Sequence, residues 1–183
     1  FLKVYETEAE PFLDFAATIA ASLQAAELQL APALLDIDES SRELLYAWLA
    51  PADWRMALRQ DLDDENVLVS VIAAKRAWHQ SRKLAQHRAP FETISSYLGV
   101  MDNIRLPDGE KLSELRIVRE LRPWIGRLEA AFAAAGTGSG PIHGENTLSN
   151  IMLGSAGRVQ LVDFDRAVNA DPHYDVAGLC LEV

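Results

Sequence analysis

One cysteine in 183 residues, Cys180, leaves no internal disulfide to form, so the fold must rest on a packed core. Cys180 itself, between Leu179 and Leu181, is expected to be a small buried apolar residue. Positive charge is also scarce, with 17 lysines and arginines against 27 aspartates and glutamates, a net charge of −10. A field of that sign repels polyphosphate backbones and anionic bilayers, which excludes nucleic-acid and membrane-surface binding as functions. No apolar run reaches the roughly 18 residues of a membrane span, and no basic-then-apolar leader opens the chain. There is no G-x-x-x-x-G-K-[ST], which removes P-loop chemistry. His79 and His87 lack partners at ligand spacing, and His173 lies in a turn, so a zinc site is unsupported. A reducing, cytoplasmic setting is the expectation.

What is present is an ordinary globular mixture, 49% hydrophobic and 24% charged, enough for one domain or two small lobes. Residues 1–5 alternate and predict a strand with Lys3 on one side. Pro11 suits a first helical position because it has no N–H to leave unpaired, so residues 11–27 predict a helix. Phe12, Phe15, Ile19 and Leu23, spaced 3, 4 and 4, define its expected core face. Residues 33–37 and 44–49 predict two strands around the polar DESSRE. Residues 53–60 predict a short helix, and the acidic run 61–65 the solvated start of a longer one over residues 67–87. Leu115, Val118, Leu121, Ile125, Leu128 and Phe132 predict a buried helical stripe, with Pro123 as a kink or break. GTGSG at 136–140 leaves a helix and enters a strand, the reverse of a phosphate-cradling loop, and reads as a connector. Residues 151–153 and 159–164, joined by GSAGR, predict a hairpin. The chain opens without methionine and stops in a helical run, so a fragment of a longer protein is expected.

Chemistry concentrates around that hairpin, where His143, Glu145, Asn150, Asp163, Asp165, Asp171 and Asp175 fall in one short stretch. Glu145 and Asn150 precede the first strand and Asp163 follows the second, so closing the hairpin brings all three to one edge. Carboxylate and amide oxygens suit a hard cation such as magnesium, which fills its remaining positions from phosphates and water. A neighbouring carboxylate can then orient an attacking hydroxyl and accept its proton.

The pattern His143-x-Glu145-x4-Asn150, an apolar hairpin, then Asp163-Phe164-Asp165 resembles the catalytic and metal-binding loops of the aminoglycoside phosphotransferase and choline kinase group. These enzymes are small-molecule relatives of protein kinases. The resemblance spans nearly the whole chain, with its strong motif content in residues 143–178. It implies an α+β, protein-kinase-like two-lobe fold, with a partial amino-terminal lobe over residues 1–49 and a helical carboxy-terminal lobe over 50–183. It further implies ATP-dependent transfer of the γ-phosphoryl group to the hydroxyl of an aminoglycoside-, choline- or sugar-like acceptor. By the same resemblance Lys3 contacts the ATP phosphates, Asn150 and Asp163 hold Mg²⁺, Glu145 occupies the base position and His143 braces the loop. Residues 44–49 would be the hinge, with backbone groups of Tyr46, Ala47 and Trp48 bonding adenine. The acid that pairs with Lys3 is Glu10 or Asp14, with Asp14 on the helix proper. Asp175, with Asp171, matches a downstream segment and would brace the catalytic loop by accepting its backbone N–H groups. Asp165 stands where protein kinases carry glycine, which favours a small acceptor over a protein.

One departure stands out: the group carries aspartate where this chain has Glu145, whose carboxylate reaches about 1.5 Å further. Phosphoryl transfer depends on positioning, and a displacement of about 1 Å can cost roughly 100-fold. An active kinase therefore competes with a degenerate pseudokinase domain that binds nucleotide or a partner without turnover. A metal-dependent hydrolase is a weaker third reading, because Lys3 and the x4 spacing would then be coincidence. Asp53 and Trp54, just past the hinge, and the acidic run 61–65 suggest a cationic acceptor, which an aromatic face would favour.

Overall fold

The alternating first residues form strand β1 (Leu2–Val4), whose Lys3 pairs in register with the buried Leu44 of β3 (Glu43–Tyr46). Strand β2 (Leu34–Asp38) pairs with the other edge of β3, giving an antiparallel sheet of order β1-β3-β2. The computed structural model describes residues 1–6, 13–85, 90–103, 113–136 and 138–182. The chain divides into two units, Phe1–His87 with Ser139–Val183, and Arg88–Gly138.

In the first unit, helix α1 (Phe15–Glu27) starts where the Asp14 side chain accepts the N–H of Ala17, an N-cap that replaces a missing intrahelical bond. Its buried face corrects the sequence reading. Thr18, Ala21, Ser22, Gln24 and Ala25 are buried, Phe15 and Ile19 only half so, and Leu23 is exposed; Phe12 lies outside the described residues. Small side chains let the helix backbone approach its neighbours, and the polar ones are satisfied. Ser22 bonds the Tyr46 phenol, while the Gln24 amide donates to Ser81 and to the Arg82 carbonyl. A face this tightly occupied has no room for a larger side chain. Ala25→Leu is therefore expected to lose about 1–3 kcal/mol by overpacking, read as a lower urea midpoint.

Residues 53–60 are not the expected helix. They contain strand β4 (Trp54–Met56), paired with β6 (Ile151–Gly154), followed by a 3₁₀ turn at Arg59–Asp63. The free edge of β6 supplies backbone partners that outweigh local propensity, and Gly154 leaves room for the Trp54 ring, which a Cβ there would meet at 2.8 Å. Helix α2 (Glu65–His79) is shorter than predicted, because Ser81 bonds back to the Trp78 carbonyl at 2.6 Å and closes the last turn.

The hairpin forms as expected: β6 pairs antiparallel with β7 (Val159–Leu161). Strand β5 (Gly140–Ile142) pairs with β8 (Val168–Ala170), and helix α5 (His173–Glu182) follows. The core gathers Ala21, Ala25, Val71, Trp78, Ile151, Leu161, Phe164 and Leu179. Phe164 meets Trp78 edge-on at 4.9 Å and His143 at 4.7 Å, so the centre of the motif segment is anchored in the core. Cys180 is exposed on α5, contrary to expectation, since Leu179 takes the buried position beside it.

The second unit contains α3 (Pro90–Asn103) and α4 (Ser113–Ala135), joined by an edge-on contact of Phe91 and Phe132 at 5.6 Å. Helix α4 runs through Pro123 without a break. Of its expected buried stripe, Leu121, Leu128 and Phe132 are exposed and Ile125 is half-buried. Within its own unit α4 packs on one helix, which covers only part of its circumference. The side chains of Leu115 and Val118 lie outside the described residues. Among the described residues no helix is long and apolar enough to cross a membrane.

Candidate active site

Period-2 alternation in β1 leaves Leu2 and Val4 exposed and turns Lys3 and Tyr5 the other way, toward the end of the hairpin. The Lys3 ammonium lies 2.6 Å from Asp163 Oδ1 and 2.7 Å from Asp165 Oδ2, and the Tyr5 hydroxyl donates to Asp165 Oδ1 at 2.7 Å. Asp163 has a φ of +69°, a left-handed conformation that costs a non-glycine residue about 1–3 kcal/mol and is held by the surrounding packing.

These charges tune one another. Burial pushes the Lys3 amine down, but the hydrogen bonds and charges of Asp163 and Asp165 outweigh it and hold the amine above its ordinary value. Burial likewise pushes both carboxyls up. At Asp163 the Lys3 hydrogen bond and charge win, leaving it lowered, whereas at Asp165 burial and the Asp163 charge win, leaving it raised. Burial and the Asp165 charge raise the Tyr5 phenol, which stays a neutral donor.

Lys3, Asn150 and Asp163 line one cavity of about 580 Å³, together with Tyr46, Ala47 and Trp48. Asn150 donates its amide N–H to the Glu145 carbonyl at 3.5 Å, which turns its oxygen end away from that bond. Apolar side chains such as Phe1, Ala31, Met152 and Leu161 form much of the remaining wall. Two backbone donors of the expected hinge are committed within the sheet: the Tyr46 N–H to the Phe1 carbonyl and the Ala47 N–H to the Ala33 carbonyl, each at 2.8 Å.

Asp14 does not join this group. Its carboxylate caps α1, and the acids that meet Lys3 are Asp163 and Asp165. A short side chain at the helix N-terminus is used by the nearest backbone N–H. Glu10, the other candidate, lies outside the described residues. Glu145 is 37% exposed, with its carboxylate 3.8 Å from Arg166 Nε.

The loop carrying Glu145 is tied down from below by α5. Asp175, fully buried, accepts the backbone N–H groups of His143 at 2.8 Å and Gly144 at 3.0 Å, the Asn146 amide at 2.7 Å and His79 Nε2 at 2.9 Å. Burial pushes its carboxyl up, but these donors and the Lys75 charge outweigh that and hold it well below the usual carboxylate range. His143 donates Nε2–H to the Val162 carbonyl at 2.8 Å, which joins the loop to the exit of β7, and burial lowers its basicity. Gly144 has a φ of +81°, and a Cβ there would stand 2.3 Å from the Arg166 carbonyl, so only glycine fits.

Sequence reading missed Tyr5, His79, Lys75, Asn146 and Arg166. Two of these carried a signal. Tyr5 shares the face of Lys3 by strand alternation, and Lys75 shares a helical face with the apolar Val71 and Trp78, at spacings of 4 and 3.

An oxygen-only pair on one wall fits a hard cation better than a soft one. Among the described residues no cluster of three acidic, histidine or cysteine side chains that could hold a metal is present.

Residues 1–183 match the model of the phosphotransferase enzyme family. No curated protein sequence matches the chain. Choline kinase LicA from Streptococcus pneumoniae superposes with a TM-score of 0.80 at 18% identity, covering 99% of this chain and 60% of its own. A choline/ethanolamine kinase family protein from Mesorhizobium loti gives 0.77 at 21%, covering 99% and 57%. The aminoglycoside phosphotransferase APH(3'')-Id from Streptomyces rimosus, in complex with ADP and streptomycin, gives 0.67 at 21%, covering 99% and 70%. The chain thus spans about 60% of the length of the first two, and its fold is the protein-kinase-like fold of these structures.

Proposed function

Because the chain belongs to the phosphotransferase enzyme family, we propose that it forms the catalytic part of a kinase that moves the γ-phosphoryl group of ATP to the hydroxyl of a small molecule. The observation that carries this reading is the convergence of Lys3, Asn150 and Asp163 on one cavity whose remaining wall is largely apolar. A nucleotide base suits the apolar part and its phosphates the charged end. LicA has been solved in complex with AMP and the Streptomyces rimosus enzyme with ADP, which supports a nucleotide in this cavity.

In this mechanism Lys3 leaves Asp163 and Asp165 to hold the phosphates. Asn150 Oδ1 and the Asp163 carboxylate would hold magnesium, which supplies positive charge against the phosphate oxygens when bound. Glu145 accepts the proton of the acceptor hydroxyl as its oxygen bonds to the γ-phosphorus and the bond to the bridging β–γ oxygen breaks, releasing ADP. Residues 1–49 would supply the nucleotide-phosphate lysine and hinge, and residues 50–183 the catalytic loop and metal ligands. The net charge of −10 favours a cationic acceptor.

The test is mass-spectrometric detection of phosphorylated product from the full-length protein, with magnesium–ATP and choline, ethanolamine or streptomycin. The expected result is one phosphate added to at least one acceptor, dependent on magnesium. Phosphate release to water that ignores every acceptor overturns the kinase in favour of a hydrolase. Magnesium-dependent ATP binding without any product supports the second reading, a nucleotide-binding pseudokinase, which the longer Glu145 at the base position favours.

A further inference from the structure

Lys75 has no part in the chemistry proposed above, yet it is only 4% exposed, on the face of α2 that carries Val71 and Trp78. Its ammonium donates to Asn146 Oδ1, and the Nδ2 of the same amide donates to Asp175 Oδ1 at 2.7 Å. Lysine can only donate and carboxylate only accept, so both ends of the Asn146 amide are assigned and it has no alternative flip. From the other side α5 closes on Asn146: a Cβ added at Gly178 would lie 2.7 Å from the Asn146 Cβ.

We infer that Lys75 is a positioning residue for Glu145, acting through Asn146. This rests on the reading of Glu145 as the base. Glu145 lies between two anchored residues. Gly144 is held through its N–H by Asp175 and packed against the Arg166 carbonyl, and Asn146 is held by Lys75, Asp175 and α5. Removing the Lys75 bond frees one end of that three-residue span. The longer glutamate makes the span matter more than it would for aspartate, because an extra rotatable bond enlarges the error that a loose backbone transmits to the carboxylate.

A structural role and a positioning role for the lysine predict different kinetics. Burial lowers its basicity, opposed by the Asp175 charge, so the position bears a desolvation cost that an apolar side chain of similar length would not. Lys75→Met leaves Asn146 Oδ1 without its donor and Asp175 without the facing cation, so it costs stability whatever its role. A lysine kept only for stability would lose that stability on replacement by methionine while kcat stayed at the wild-type value.

The experiment uses the full-length protein and its Lys75→Met variant, with magnesium–ATP and choline, ethanolamine and streptomycin as acceptors. The expected result is a kcat about 10- to 100-fold lower with the KM for ATP within about twofold. Amide hydrogen exchange at residues 144–146 should be about tenfold faster or more. Gly178→Ala, which pushes Asn146 from α5, should give the same kinetic split. Unchanged kcat and unchanged exchange in Lys75→Met overturn the inference. Glu145→Gln, assayed in parallel, separates the two readings. Wild-type kcat in that variant overturns the base and the positioning role together, whereas a dead Glu145→Gln beside an unaffected Lys75→Met overturns the positioning role alone. Should Lys75→Met fail to fold, Gly178→Ala carries the same readouts and the same two outcomes.

Discussion

Replacing Glu145 by alanine in the full-length protein is expected to lower kcat by about 10²- to 10⁴-fold, the range that a positioned general base contributes, while the KM for ATP stays close to wild type. The expectation follows from the placement of Glu145. Its side chain is partly exposed at the end of a loop whose neighbouring groups are all committed: His143 to the Val162 carbonyl, Gly144 to Asp175, Asn146 to Lys75 and Asp175. Under the proposed mechanism Glu145 is the acid on this loop that meets the acceptor hydroxyl. Initial rates of product formation across acceptor concentrations provide the measurement, and a wild-type rate removes Glu145 as the base. Glu145→Asp does not discriminate by itself, because retained turnover there fits both a base with a shorter reach and a bystander.

The largest loss of stability is expected at Asp175. Asparagine in its place keeps one acceptor oxygen but presents an NH₂ toward donors that need a carboxylate, His143 N–H, Gly144 N–H and His79 Nε2–H among them. It also removes the negative charge facing the buried Lys75. Breaking a buried charged network by removing one partner costs about 3–5 kcal/mol, so the urea midpoint of Asp175→Asn should fall well below wild type, with activity lost as the loop is released. The pH dependence has a definite sign. The folded carboxyl lies below its unfolded value of about 3.9, so its contribution is fully present above that pH and is lost as pH falls through the folded value. Asparagine does not titrate, so the stability gap between the two proteins should narrow as pH is lowered below about 4. A gap that stays constant through acid would mean that the Asp175 charge is not what holds the loop.

Much of the site was legible because its residues lie close together along the chain. His143, Glu145 and Asn150 fall within one loop and Asp163 just past the hairpin it leads into, so the x4 spacing and the alternation of two short strands were enough to bring Asn150 and Asp163 to one edge. Asp175 was expected as a loop brace only through the family resemblance. Strand alternation put Lys3 on one side of its strand and the family resemblance gave it a phosphate role, but its partners were not identified, since Asp163 and Asp165 stand 160 and 162 residues away. Of the two acids expected there, Asp14 follows the local rule that a short acid ahead of a helix caps it, and Glu10 lies outside the described residues.

Periodicity was least informative where small or polar residues make the contact. The pattern Phe12, Phe15, Ile19, Leu23 pointed to one face of α1, whereas Thr18, Ala21, Ser22, Gln24 and Ala25 are the ones buried. Hydrophobicity marks which side chains gain most from leaving water, but close helix approach rewards small volume, and Gln24 is satisfied only by partners more than fifty residues on. The strand at Trp54–Met56 is similar: its ladder exists only once β6 lies beside it.

Taken alone, the amino-acid sequence determined the hairpin and the short-range set of acids and amide that it gathers, because those depend on local spacing and on bonds a few residues long; the protein-kinase-like class came from the resemblance those residues carry. Tertiary structure decided which acid meets Lys3, which face of α1 is buried, and that a lysine from α2 grips the loop beside Glu145. Each of these is a pairing of groups distant in the chain, and only the folded packing brings them within hydrogen-bond reach.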